Sequence, residues 1–522
     1  MLAVAFAIAF TAAGFSSATN VFVTQSGIAT GNCPSGAAGA PNLTPAQFNL
    51  PSNWGAGAGK IGPGTTVLLC GTLSNSIPGA IELQAQGSGT SGSPITILFD
   101  TNANITNSAY WNILGAINLG SYKYITVNGG KNGIIQNTGN GSSLQYQKPS
   151  TGIRTYGTGV TIENLTIANL YVHSSPTDTA VSQTQVNCVA FGGGSNVTIA
   201  NNKMHDAGWC LFEDFQNGDG NVSIYNNTIY NVDHGWMLAS QVAGGSSGPF
   251  NFYGNQVYGY ANWDTTNNTY HHDGIHCFTS QTGGVAAHIT SLNIYNNLFT
   301  GPVGVNITAH MYLEGGSGPN STACADVNSQ INIYNNILTA DNYIYNGLIG
   351  MFSGNGSVYN NTIIGSTTSQ GICFYAKGSV SALQFKNNAI TNCNMLVAIL
   401  DNIPFTPDYN AYGNGGGNAF VINGSFLSPS SFSKWKSLAG GDSHSTYSAS
   451  LQLSSSGVPQ SESPVTRAGT NLTSLGVTSL DSDTSAGNTR TPVPRPAVGP
   501  WDAGAYEGIG PNPPSGLTGI VK

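Results

Sequence analysis

The sequence predicts an all-β chain wound as a three-faced parallel solenoid. Three observations carry this: a recurring Asn-Asn dipeptide behind a short β-rich run, a shortest repeat of 25 residues, and a charged fraction of only 7%. The dipeptide closes VTIANN at Asn202, VSIYNN at Asn227, LNIYNN at Asn297, INIYNN at Asn336, GSVYNN at Asn361 and LQFKNN at Asn388. FNFYGN at Asn255 and VTIEN at Asn164 extend the series, with intervals of 38, 25, 28, 42, 39, 25 and 27 residues. Coils of constant girth with loop insertions give such a series, and a repeat that cannot bury its apolar face alone must stack on its neighbours. Asparagine at the same turn of every coil can then form a hydrogen-bonded side-chain ladder.

Each coil reads as three strands. In one of them these are VSIY (222–225), TIYNV (228–232) and WMLAS (236–240), separated by the Asn pair, by Asp233-His234-Gly235 and by a Gly/Ser turn. Stacked parallel coils rise by about 4.8 Å, the spacing between paired strands. The low charge belongs to order, not disorder, because Tyr, Phe, Ile and Val populate every repeat. A net charge of −8 with 14 Lys+Arg excludes a broad nucleic-acid-binding face.

In chain order, residues 1–18 (MLAVAFAIAFTAAGFSSA) read as a secretory signal, an apolar run ending in small residues. No later run approaches a membrane span. Residues 19–110 read as an N-terminal β cap unit in which Cys33 and Cys70 are expected to pair as a disulfide. Residues 111–423 carry the coils. Cys188, Cys210, Cys277 and Cys373 lie within strand-like runs there and read as buried small hydrophobes. Residues 424–522 turn rich in Ser, Pro and Gly and read as a C-terminal cap and tail that covers the last coil. SKWKSL is the one clear helical fragment in it, and WDAGAYEG reads as a closing strand.

Repeats of the form V-x-I-x-N-N resemble those of the secreted right-handed parallel β-helix proteins of the pectate-lyase-like superfamily. The opening PGTTV…CGT…GSPITI and the ending DYNAYGN…GGDSHS…PWDAGAYEG extend the resemblance over nearly the whole chain. It implies a right-handed coil and a substrate groove along one face. The superfamily holds lyases, hydrolases, epimerases, esterases and adhesins, so it implies no single activity.

With the ladder as a ruler, the third turn and following strand align as HDAGWCLFED (205–214), VDHGWMLASQ (232–241), HHDGIHCFTS (271–280) and GPVGVNITAH (301–310). Five of the nine histidines fall between 205 and 276. Asp206, Asp233, His234, His271, Asp273 and His276 are therefore the expected catalytic set, since clustered titratable groups in a groove mark functional sites. Strand alternation places His276, Asn306, Thr308 and His310 outward, and Phe212 and Phe278 with them. Phe212, Trp263, His272, Phe278, Asn306 and His310 are the expected substrate contacts, with Trp263 in an insertion beside the groove. Trp209 and Trp236 share the inward register and are expected in the core. Glu213 and Asp214 read as a solvated pair at the far end of one groove strand. The bland alternative is a polar turn in which each Asp caps its own glycine turn.

The resemblance raises calcium as a cofactor, although His234 and Met237 stand where one pectate lyase family carries acidic ligands in an Asp-Asp-Gly-Trp-Asp turn. The groove strand carries no Lys or Arg of the kind that serves β-elimination. The polygalacturonase-type signatures Asp-Asp, Gly-His-Gly and Arg-x-Lys are absent as well. The expectation is a secreted, monomeric carbohydrate-active β-helix, acting on polysaccharide as lyase, hydrolase or epimerase. The alternative is a non-catalytic extracellular β-helix that binds glycans, adheres or builds structure. Convergence of the Asp and His side chains in an open groove would separate the two.

Overall fold

A computed structural model describes residues 20–28, 33, 41–139, 148–170, 186–240, 244–260, 271–279, 286–303, 307–315, 322–341, 344, 346–366, 371–484 and 492–508. The expected signal (1–18), Trp263 and Asn306 lie outside the described residues. Within them the chain is a parallel β-helix. Among the described residues every strand pair but one is parallel, the exception being the hairpin of Phe420–Ile422 with Ser425–Leu427. Among the described residues, no helix is long and apolar enough to cross a membrane.

Three stacks of strands form the faces. One runs through Val222–Tyr225, Phe250–Tyr253, Leu292–Tyr295 and Gln330–Tyr334, paired residue on residue, so that Ile224, Phe252, Ile294 and Ile333 superpose. The second follows the Asn pair, as in Gln256–Tyr258, Leu298–Thr300 and Ile337–Thr339. The third comprises the C-terminal half of Lys203–Phe215, then that of Thr228–Ser240, then His272–Thr279 and Ile307–Leu313, continuing into Ile349–Tyr359 and Ile372–Lys386. Their inward residues form one continuous apolar core from Val21 to Ala439.

The two asparagines of each pair have different work. The first takes a left-handed backbone, with φ of 57° at Asn201, 54° at Asn226, Asn296 and Asn335, and 50° at Asn360, while Gly254 at 65° serves the same turn. Asparagine and glycine are the residues that adopt this conformation at least cost. The second is buried and makes the ladder. Asn227, Asn255, Asn297, Asn336, Asn361, Asn388 and Asn410 each hold out Oδ1 to the Nδ2 of the preceding rung at 3.0–3.1 Å. Each Nδ2 also donates to a backbone carbonyl, as Asn336 does to Ile294. Asn164 holds the first, left-handed position, so the ladder begins at Asn202, whose Oδ1 receives the Leu165 N–H. Asp442 ends it by accepting from Asn410.

Both ends are closed. Phe48 and Trp54 seal the first coils edge to face, and Trp435 of helix Phe432–Ala439 is fully buried over Phe420 at the other end. That helix contains the SKWKSL fragment. The chain beyond it differs from the expected tail. It runs back along the ladder corner, where Asn335 donates to Ser479 and Ser482, Asn360 to Asp502 and Gly504, and Asn387 to Thr470. Trp501 is buried with Tyr295, Tyr334 and Tyr359 of the coils, and WDAGAYEG is an irregular strap, not a strand.

Cys33 pairs with Cys70. Cys277 and Cys373 are not small hydrophobes but half-cystines, joined to Cys324 and Cys393. Cys188 and Cys210 are free and buried on facing strands.

Candidate active site on the third face

On the third face, strand pairing sets His234 beside Asp273, and His276 beside Tyr312. Close stacking makes this possible. Gly235 and Gly274 bring adjacent coils so near that a Cβ on either would lie 2.5 Å from a backbone oxygen, that of Gly274 and of His310 respectively. Any larger residue would push apart the two strands that carry the site.

The carboxylate of Asp273, fully buried, is the hub. Its Oδ2 lies 3.2 Å from His234 Nε2, 3.1 Å from His271 Nε2 and 3.5 Å from His276 Nδ1. Its Oδ1 accepts the Ala309 N–H at 2.9 Å. A second layer holds the imidazoles. Asp233 meets His234 Nδ1 at 2.5 Å and His272 Nδ1 at 2.8 Å, and Glu314 meets His276 Nε2 at 2.7 Å. His271 alone of the three inner histidines has a substantially exposed side chain, 42% against 3% and 7%, so the hub opens to solvent on its side.

The electrostatics follow from this packing. Burial would raise the Asp273 carboxyl, but the histidines beside it outweigh that and hold it at about 2. Asp233 is likewise held well below the usual carboxylate range by His234 and His272 despite its burial. His234, between two carboxylates, is pushed up to about 9 against its own burial, whereas burial wins at His276 and lowers it. Burial, then Glu314 and Asp273, pushes the Tyr312 phenol far up.

Aromatic side chains extend from the hub in both directions along the face. Trp209 lies 5.6 Å from Phe212 and 6.5 Å from Phe278, which is 5.0 Å from His276. Tyr312 is 5.0 Å from His276 on the other side, and Phe352 links it at 5.7 Å to Tyr375 at 5.3 Å. Trp209, Phe212, Phe278, Tyr312 and Tyr375 are part-exposed. Six strands span this band, about 24 Å at one strand spacing per coil.

The structure thus brings together Asp233, His234, His271, Asp273 and His276, and places Phe212 and Phe278 beside them. Three expected residues stand elsewhere. Asp206 pairs across strands at the level of Asn231, which hydrogen-bonds it, and holds His205 at 2.5 Å on a different corner, where His205 stacks on Tyr230. A slip of the turn explains this: Trp236 pairs with Leu211, not with Trp209. His272 is buried beneath the site as a partner of Asp233 and cannot meet a substrate. His310 faces inward, fully buried against Tyr260 and Phe299, with Nε2 on the Thr339 carbonyl at 2.9 Å. Its neighbour Met311 pairs with Ile275, so the outward position opposite His276 belongs to Tyr312.

The slip beside Leu211 hid Trp209, and a separate, longer one, which sets Met311 and not Val305 opposite Ile275, hid Tyr312 and Glu314. The alternation in Met311-Tyr312-Leu313-Glu314, two polar-capable residues between two aliphatic ones, was the available signal. Glu213 is not solvated either: it is buried and accepts from Trp236 Nε1, and burial, with Asp219 behind it, pushes its carboxyl well up. Calcium does not fit the hub. Calcium takes six to eight oxygen ligands, and here one carboxylate oxygen faces three imidazole nitrogens.

No family model and no curated protein matches the chain. Among solved structures it is similar in fold to a GH136 lacto-N-biosidase from Eubacterium ramulus, at 12% identity over 82% of this chain and 67% of that one, with a TM-score of 0.39. A family 28 exopolygalacturonase from Yersinia enterocolitica is similar at 13% identity, 78% and 76% coverage and a TM-score of 0.37. A pectate lyase is similar at 12% identity, 95% and 97% coverage and a TM-score of 0.34.

Proposed function

We propose that this chain is a secreted carbohydrate-active enzyme that holds a polysaccharide along the third face and cleaves or epimerises it over Asp273. The supporting observation is the band from Trp209 to Tyr375, with the Asp/His hub near its middle. Aromatic faces pack against the apolar faces of sugar rings, and an extended row of them suits a chain-like ligand better than a small molecule. Trp209, Phe212 and Phe278 hold the sugars on one side of the hub, Tyr312 and Tyr375 those on the other. The bond or proton to be broken then lies over His271 and His276, where the hub opens to solvent.

The test is incubation with a panel of uronate-containing and neutral polysaccharides, followed by absorbance of unsaturated products and by reducing-end release. The expected result is product from at least one polymer and a loss of a hundredfold or more in Asp273→Asn, about the scale of a removed electrostatic group. Binding of a polymer without turnover, unchanged in Asp273→Asn, would replace the enzyme by a glycan-binding β-helix. No turnover and no binding across the panel would overturn the proposal.

A further inference from the structure

We infer that His234, His271, Asp273 and His276 form a binding site for a zinc-class divalent transition ion. Four observations lead there. First, His234 Nε2, His271 Nε2, Asp273 Oδ2 and His276 Nδ1 all lie within 4.8 Å of one another, one atom from each residue. Second, each of these four atoms is buried and has no hydrogen-bond partner, although some of their separations are short enough for one. A buried polar atom without a partner costs about 1–3 kcal/mol. Four of them aimed at one point are explained together by a ligand they share.

Third, the distances have the right size. The three nitrogens stand 3.2, 3.1 and 3.5 Å from Asp273 Oδ2. In a tetrahedral zinc site with ligands at 2.0–2.1 Å, adjacent ligand atoms are separated by about 3.3 Å.

Fourth, the outer layer fixes the correct nitrogen on two of the histidines. Asp233 engages His234 at Nδ1 and leaves Nε2 free, whereas Glu314 engages His276 at Nε2 and leaves Nδ1 free. Carboxylates on the far nitrogen orient metal-bound histidines in this way, and the Ala309 N–H does the same for the remaining oxygen of Asp273. Three imidazoles and one carboxylate suit zinc and its first-row neighbours, not the oxygen-seeking calcium or magnesium. The partial exposure of His271 leaves room for a solvent molecule or a substrate oxygen as a further ligand.

The inference rests on the geometry of the hub and deepens the proposed function without depending on it. The experiment strips the full chain with a chelator, dialyses it against micromolar zinc or cobalt(II), and measures bound metal by mass spectrometry with no glycan present. One equivalent of zinc per chain is expected, and cobalt should show the intense visible bands of a low-symmetry, nitrogen-rich site. His271→Ala, whose side chain is half exposed, should fold as judged by circular dichroism and lose the metal. Glu314→Ala should weaken binding about tenfold, the lower end for an outer-layer partner. His288→Ala, at the separate His288–Asp326 pair, should keep the full equivalent. Absence of metal from the wild-type chain, or a full equivalent in both His271→Ala and His234→Ala, would overturn the inference. Metal without any action on glycans would leave it standing and remove the proposed function; glycan turnover by a chain that binds no metal would do the reverse.

Discussion

The ladder corner and the histidine hub are made by the same coils and stand on different edges of them. Both are buried concentrations of polar side chains in a chain with few charges. At the ladder, each inner rung is saturated: Asn336 donates to Ile294 and Asn361 and accepts twice from Asn297. At the hub, four atoms are left without hydrogen-bond partners and face each other. A saturated stack has nothing left to offer a ligand and serves stability. An unsaturated one costs stability in the free chain and is explained by something it binds.

Four perturbations break or sharpen this contrast. The largest effect is expected at the ladder. Asn336→Ala removes one rung and strands donors on Asn297, so denaturant unfolding should show a loss of about 3–5 kcal/mol, several hydrogen-bond equivalents. A loss below about 1 kcal/mol would mean the ladder is not what holds the coils.

Zinc at a thousand times its dissociation constant should stabilise the wild-type chain by about 4 kcal/mol, read as a rise in melting temperature. The same addition should leave His271→Ala unmoved, and an equal rise there would place the ion outside the hub.

The third effect is on acid stability. Burial holds His310 at about 4, below its ordinary 6.5. The unfolded chain therefore binds the extra proton between these values, so stability present above pH 6.5 is lost as pH falls towards 4. The step is about 3 kcal/mol for this group, and a zinc-free preparation of His310→Gln should lack it in a pH series of unfolding curves. An unchanged series would show that His310 is not the group responsible.

Smallest is Phe278→Ala, which should raise KM or Kd for a bound polysaccharide about tenfold, near 1.4 kcal/mol, while metal content stays the same. A change in metal content would show that the ring supports the hub instead of a sugar.

The ladder was legible from Asn202 to Asn388 because its signal is local, although Asn164 is a turn residue and not a rung, and the last rung, Asn410, lies outside the repeat pattern. A left-handed turn needs Asn or Gly, and the rung beside it must be Asn wherever the next coil offers an Asn, so the spacing of the dipeptide reports the coil. The hub was half legible. His234, His271, Asp273 and His276 stand out in a chain so poor in charge, and they do converge. His272 also stands out and keeps its register but is buried beneath the site, whereas turns of unequal length shift the register of Asp206 and His310. Hence Leu211 faces Trp236, and Tyr312 faces His276. Cys277 and Cys373 escaped for a similar reason, since Cys324 and Cys393 reach them from 47 and 20 residues away.

By itself the sequence determined the parallel coil, its three faces, its ladder and the stretch of chain rich in histidine. Those follow from periodicity, which stacking converts directly into position. Only the tertiary structure decided which nitrogen faces which oxygen, that Asp233 and Glu314 stand behind the histidines, and that the C-terminal strap returns along the ladder corner. Such contacts join coils through turns of variable length. Their register is set by packing between neighbouring strands, and no spacing along one strand records it.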